Sequence, residues 1–257
     1  MADRFTDRTA IVTGAGSGIG LEVARRIVRE GGRVVAADVS AERIDALVDE
    51  LGGSTGPGGA FAAGPIAGVV GDIATQADVD RIVDAAGDRI DVLANVAGIM
   101  DGFLPVHEMD DETWDRLLAV NLTAPMRLTR AVLPAMLAAG RGSIVNVGSE
   151  ASLKAGGSGA AYTSSKHGLI GLTRSTAVFY GEHGIRCNAL CPGAVVTNIE
   201  ADTRSEFGRL VVERHLGSAM SYAMPDAVAA AVCWLASDDA ANVNGTVMTS
   251  DGGWSAT

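Results

Sequence analysis

The stretch Arg8-Thr9-Ala10-Ile11-Val12-Thr13 runs directly into Gly14-Ala15-Gly16-Ser17-Gly18-Ile19-Gly20, and this junction decides the fold class. The first part is a short run rich in β-branched residues. After the glycines, Ile19, Val23, Ile27 and Val28 recur at helical spacing until Glu30-Gly31-Gly32 stops the pattern. Arg33-Val34-Val35-Ala36-Ala37-Asp38 then reads as a second strand. Strand, glycine turn, helix and strand make a βαβ unit, whose crossover forces the two strands to be parallel. Glycines at the turn let backbone N–H groups at the helix N-terminus approach a pyrophosphate. Gly14, Ser17, Gly18 and Ile19 are the expected phosphate-side contacts.

Asp38 closes the second strand 18 residues after Gly20, where a carboxylate can accept hydrogen bonds from both hydroxyls of an adenosine ribose. A 2′-phosphate ~5 Å away would be repelled by roughly 3 kcal/mol per unit charge at an effective dielectric near 20. No Lys or Arg lies among residues 14–20, nor at Val39 or Ser40. NAD is therefore the expected cofactor rather than NADP.

The totals narrow the class. The 257 residues suit one α/β domain spanning 1–257, and 33 Gly with 4% aromatics imply a core of small aliphatics and many tight turns. A net charge of −11 argues against nucleic acid or an anionic membrane as partner. No long apolar run occurs, and Met1-Ala2-Asp3-Arg4 lacks a signal-peptide pattern. These features predict a cytoplasmic protein. Cys187, Cys191 and Cys233 lack metal-ligand spacing and read as small buried thiols. His107, His167, His183 and His215 likewise show no metal pattern, so no metal is expected.

Further along, Ala41 to Leu51 reads as a helix and Gly52 to Gly68 as a flexible insertion with seven Gly and two Pro. Gly68 to Asp72 and Ile90 to Asn95 are the next strands. Asp72-Ile73 would meet an adenine ring; Asp72 equally suits capping of the following helix, and the two roles are compatible. Asp111 to Ala139 is a helical region interrupted by Pro125 and Pro134. Pro125 offers no N–H to the Asn121 carbonyl, which predicts a kink near Asn121; by itself Asn121 would equally be a solvent-facing amide. Gly142 to Ser149 is a fifth strand with Ser149 at its carboxyl end, where parallel sheets bind ligands. Ile185 to Cys191 is a sixth, turning at Pro192-Gly193-Ala194-Val195-Val196-Thr197. Residues 198–222 read as a substrate-binding loop, Pro225 to Leu235 as a last helix and Gly245 to Gly253 as a seventh strand and its turn.

Tyr162-Thr163-Ser164-Ser165-Lys166 lies in a proline-free helix expected over Ala160 to Tyr180. Residues i and i+4 share a helix face, so the phenol and the ammonium point the same way. The chain has only two lysines, Lys154 and Lys166, against 18 arginines. Taken alone, the pair equally describes an amphipathic helix with a solvated lysine. The glycine turn, Asp38 and Ser149 favour chemistry.

Together these pieces resemble the short-chain dehydrogenase/reductase family along essentially the whole chain. The resemblance rests on Thr13 to Gly20, Asn95-Val96-Ala97-Gly98, Asn121, Ser149, Tyr162-x-x-x-Lys166, Pro192-Gly193-x-x-x-Thr197 and Asp251-Gly252-Gly253. It implies one Rossmann-type doubly wound parallel sheet of about seven strands, order 3-2-1-4-5-6-7, with helices on both faces. It also implies a homotetramer, or a dimer, packed through the helices of Asn121 and Tyr162. Catalytic roles would fall to Asn121, Ser149, Tyr162 and Lys166. Ser149 would hydrogen-bond the substrate oxygen, Tyr162 would exchange its proton, and Lys166 would bind the nicotinamide ribose and depress the Tyr162 pKa. Asn121 would hold a water relaying protons from Lys166. Asn95, Ala97, Gly98, Pro192 and Gly193 would line the cofactor, and Val195 and Thr197 would grip the carboxamide.

Two departures stand out: Val96 replaces the second Asn of the frequent Asn-Asn-Ala-Gly, and Gly148 precedes Ser149 where Ser is frequent. The implied activity is NAD-dependent interconversion of a secondary alcohol and a ketone on a small or medium apolar molecule. Reduction of 3-oxoacyl thioesters is the alternative within the class. An acidic carrier protein is disfavoured by the net charge, although Arg127, Arg130, Arg141 and Arg174 keep it open. A dinucleotide-sensing protein without catalysis is the non-enzyme alternative.

Overall fold

A computed structural model describes residues 3–55, 61, 64–197, 199, 202–216 and 222–256. Its core is one parallel sheet of eight strands: β1 (Thr9–Thr13), β2 (Arg33–Asp38), β3 (Ser54–Thr55), β4 (Ile66–Val70), β5 (Val92–Asn95), β6 (Gly142–Val147), β7 (Ile185–Pro192) and β8 (Val247–Ser250). The spatial order is β3-β4-β2-β1-β5-β6-β7-β8. Seven of these strands have the expected order. The eighth, β3, lies in the glycine-rich segment expected to be structureless. Ser54 and Thr55 pair with Ala67 and Gly68 at the sheet edge, and a Cβ at Gly68 would stand 2.7 Å from the Thr55 methyl.

Alternation along each strand feeds two separate cores. Ala10, Val12, Val34, Ala36, Val92, Ala94 and Val145 pack on one face with α1 (Gly18–Arg29), α2 (Ala41–Leu51) and α8 (Pro225–Ala236). Ile11, Val35, Ala37, Leu93 and Ile144 pack on the other with α3 (Gln76–Ala86) and α5 (Ala124–Ala139). Burial on both faces explains why the strands read as continuous apolar runs. The remaining helices are α4 (Asp111–Leu118), α6 (Ala160–Tyr180) and α7 (Glu206–Leu216). No described helix is long and apolar enough to cross a membrane.

The expected kink is a π-turn over Ala119–Thr123, between α4 and α5. Pro125 is the physical cause, since it removes one N–H from the ladder. Residues 198, 200–201 and 217–221 of the expected substrate loop, including Asn198 and Met220, lie outside the described residues. The described part contains α7 and is tied down by Arg204, whose guanidinium donates to Asp110 and Thr113.

Candidate active site

The carboxyl ends of β1, β2, β5, β6 and β7 open into a cleft of about 640 Å³. Gly14 adopts φ +66°, and a Cβ there would lie 3.0 Å from the Ala97 backbone. At Gly20 a Cβ would lie 2.2 Å from the Gly14 carbonyl oxygen. The turn therefore closes only without side chains. Thr13 Oγ1 accepts from the N–H groups of Val96 and Ala97 at 3.1 and 3.2 Å, fixing the exit of β5.

Helix α1 then starts without a cap. Ser17 is in extended backbone, makes no side-chain cap bond, and no acid occupies the first turn. By contrast α2, α3 and α4 are capped by Ser40, Thr75 and Asp110. An uncapped helix N-terminus facing a cleft presents unsatisfied N–H groups and the positive end of the helix dipole, which fits a pyrophosphate. Asp38 accepts from Gly16 N–H and Ser40 N–H, both at 3.0 Å, which aims its carboxylate across the glycine turn. These residues fit a dinucleotide.

The second half of the cleft holds Ser149, Tyr162 and Lys166. Ser149 follows β6 and accepts from Ala151 N–H at 3.1 Å, and it lines the cleft together with Tyr162. Lys166 Nζ donates to the Val147 carbonyl at 2.9 Å and lies 5.6 Å from the Tyr162 ring centre. Burial pushes the Tyr162 phenol up to about 12; the nearby Ser149 hydroxyl opposes this, and the negative charge of Asp101 reinforces it. Burial also pushes Lys166 down to about 8. Desolvation is the first cause in both residues and acts on each against its charged form.

Gly14, Ser17, Gly18, Ile19, Asp38, Asp72, Ile73, Ala97, Gly98, Pro192, Gly193, Val195 and Thr197 all line the cleft. Thr197 faces the glycine turn, since a Cβ at Gly18 would lie 3.2 Å from its side chain. Asp251 backs the Pro192-Gly193 turn, standing 2.9 Å from a Cβ placed on Gly193.

Two expected site residues are not in the cleft wall. Asn95 donates to Asn146 Oδ1 at 2.8 Å, its register neighbour on β6; Asn146 in turn donates to Thr173 on α6 at 2.9 Å. Asn121 spends its amide on the Ile99 backbone, accepting from its N–H and donating to its carbonyl, both at 2.9 Å. Both side-chain amides are thus bonded to the protein's own groups behind the cleft wall.

Sequence reasoning missed Arg43, Arg116, Glu150 and Trp254, which line the cleft. Arg43 enters from the first turn of α2, with its Cβ 2.8 Å from a Cβ placed on Gly16. One helical turn carries it back over the glycine turn, beyond the two positions adjacent to Asp38. Arg116 donates to Asp72 at 2.8 Å, and Asp72 also accepts from Ala74 N–H, so its turn-forming and cleft-lining roles coexist. Among the described residues, no group of three His, Cys, Asp or Glu side chains is placed to hold a metal ion.

Residues 8–207 match the family model described as short chain dehydrogenase. A 3beta-hydroxysteroid dehydrogenase 2 from Eggerthella lenta is 40% identical, over 97% of this chain and 95% of its own. The crystal structure of levodione reductase superposes with a TM-score of 0.86 at 34% identity, covering 99% of this chain and all of the other. A protein provisionally assigned as an NAD(P)-dependent gluconate 5-dehydrogenase from Beutenbergia cavernae, with NADP bound at low occupancy, gives 0.82 at 38% identity with full coverage of both chains. The chain belongs to the short-chain dehydrogenase family.

Proposed function

We propose that this chain is an NAD(H)-dependent oxidoreductase that interconverts a secondary alcohol and a ketone on a small or medium apolar molecule. The observation that carries this reading is that Ser149, Tyr162 and Lys166 line the same cleft as the uncapped end of α1. Relatives named for hydroxysteroid and levodione chemistry support it. A dinucleotide held by the glycine turn and Asp38 would supply the hydride acceptor or donor. Ser149 orients the substrate oxygen, and Tyr162, protonated at neutral pH, gives that oxygen a proton or takes one back in the reverse direction. Lys166 presents its ammonium on the same helix face and holds the ribose. Ile99, Met100 and Ile199 provide an apolar wall.

NAD preference rests on Asp38. Arg43 narrows the margin, because its guanidinium can reach a 2′-phosphate that Asp38 repels. NAD+ is expected to exceed NADP+ at least tenfold in kcat/KM; parity would overturn that preference. Tyr162→Phe should lower kcat by about 10³ or more while NADH still binds, and retained turnover would sink the assignment. A screen of secondary alcohols with NAD+, run beside acetoacetyl thioesters, separates apolar alcohols from acyl substrates. Of the four arginines that keep an acidic carrier open, three are engaged within the chain: Arg127 donates to the Ala74 carbonyl, Arg130 to Gln76, and Arg141 pairs with Asp91, while Arg174 is exposed.

A homotetramer built through α5 and α6 is the proposed assembly, supported by Val178 and Phe179 at 79% and 72% exposure on α6. Light scattering on the eluting protein tests it. The acidic charge and three free thiols support a cytoplasmic location, which cell fractionation tests.

A further inference from the structure

Asp101 lies on the segment after β5, three residues beyond the Asn95-Val96-Ala97-Gly98 motif and outside every motif the sequence marks. It is fully buried. Its Oδ1 accepts from Gly159 N–H at 3.1 Å, Ser158 Oγ at 3.2 Å and Phe103 N–H at 3.2 Å, and its Oδ2 accepts from Tyr162 N–H at 2.9 Å. A carboxylate is an acceptor only, so four converging donors fit its ionised form. Gly159, the residue before α6, contributes no cap of its own, and a Cβ there would stand 2.5 Å from both Asp101 oxygens. The carboxylate and the missing side chain are therefore fitted to one another.

We propose that Asp101 is a positioning residue for Tyr162: one buried carboxylate from the β5 exit anchors the first turn of the helix that carries the phenol, and presents its charge to that phenol. The inference rests on the reading of Tyr162 as the acid and base. The groups that act on the phenol are Lys166 from its own helix, Ser149 from the end of β6, Cys191 from β7 and Asp101 from the segment after β5. Cys191 is a thiol that burial keeps protonated, which leaves Asp101 as the anion. A fixed negative charge opposes formation of a second one on Tyr162. Anchoring the helix start also fixes the reach of the phenol, where a small misplacement costs rate.

The test is the pH profile of kcat for alcohol oxidation at saturating NAD+, in wild type, Asp101→Asn, Ser158→Ala and Tyr162→Phe. Asparagine keeps the size but removes the charge and one acceptor. The rising limb of Asp101→Asn should move to lower pH by about half a unit, with the plateau reduced about tenfold. Ser158→Ala keeps the charge and removes one donor to it, so its limb should move slightly the other way, with Tm within a few degrees of wild type. An Asp101→Asn enzyme with an unmoved limb overturns the proposal whatever its plateau. If Asp101→Asn does not fold, an unmoved limb in Ser158→Ala overturns it. Turnover retained by Tyr162→Phe would instead topple the active-site reading, so the two failures are distinguishable.

Discussion

Two helices start at the catalytic edge, and they treat their N-termini in opposite ways. Helix α1 begins at Ser17 with no side-chain cap and no acid in its first turn. Helix α6 begins at Gly159 with a buried carboxylate from a distant segment seated on its first N–H groups. The same four orphan donors and the same positive dipole end exist in both. In α1 no side chain claims them and they face the cleft, as the proposed phosphate site requires. In α6 they are consumed internally, so that the useful surface of the helix is its side, where Tyr162 and Lys166 stand. The proposed anion site and the proposed proton-transfer site thus differ, at the level of the helix terminus, by one carboxylate withheld or added.

The comparison can be broken most severely by giving α1 the cap it lacks. Ser17→Asp should weaken NADH binding by about 100-fold, because the new carboxylate occupies the donors and repels the pyrophosphate. The same change should raise Tm by a few degrees through capping. Fluorescence titration with NADH and a thermal melt of the same sample give both numbers. Unchanged affinity would mean that the α1 terminus does not hold the phosphates.

A smaller effect is expected one turn away, where Asp38 and Arg43 line the cleft beside the glycine turn, at the proposed adenosine end. Asp38→Asn should cut the NAD+ over NADP+ ratio of kcat/KM by about tenfold. Adding Arg43→Ala should cost NADP+ more than NAD+, because the remaining cation is lost. If the second change leaves NADP+ unaffected, Arg43 does not reach the 2′ position.

The smallest effect concerns the side of α6. Lys166 is held at about 8 by burial, below the ~10.4 of an exposed lysine. The folded protein therefore binds this proton less tightly than the unfolded chain does. That penalty on stability is full below pH ~8 and fades as pH rises toward ~10.4. Lys166→Met should raise Tm by several degrees at pH 7, and the gap should narrow above pH ~9. A constant gap across that range would show that the ammonium is not desolvated as the structure has it. Tyr162 has the opposite sign: its folded value is raised to about 12, so its contribution is complete below pH ~10 and is lost as pH climbs through 12.

Much of the sheet was legible because its strands are buried on both faces and read as apolar runs between turn residues. The strand β3 was not, since a two-residue edge pair among glycines carries no periodic signal. The kink before α5 was legible from Pro125, a local steric cause. What Asn121 does there was not, because its partner is the backbone of Ile99, outside its own helix. Asn95 shows the same limit: its amide answers to Asn146 through strand register.

By itself the sequence determined the features whose causes lie within a few residues of one another. These are the glycine turn that only Cβ-free residues can close, the parallel crossover it imposes, and the shared helix face of Tyr162 and Lys166. Only the tertiary structure decided which groups meet from distant segments. It set Asp101 under the first turn of α6 and Arg43 over Gly16, and it turned the amides of Asn95 and Asn121 inward. It also decided the ionisation of Tyr162 and Lys166, because desolvation depends on everything packed around a group and not on its neighbours along the chain.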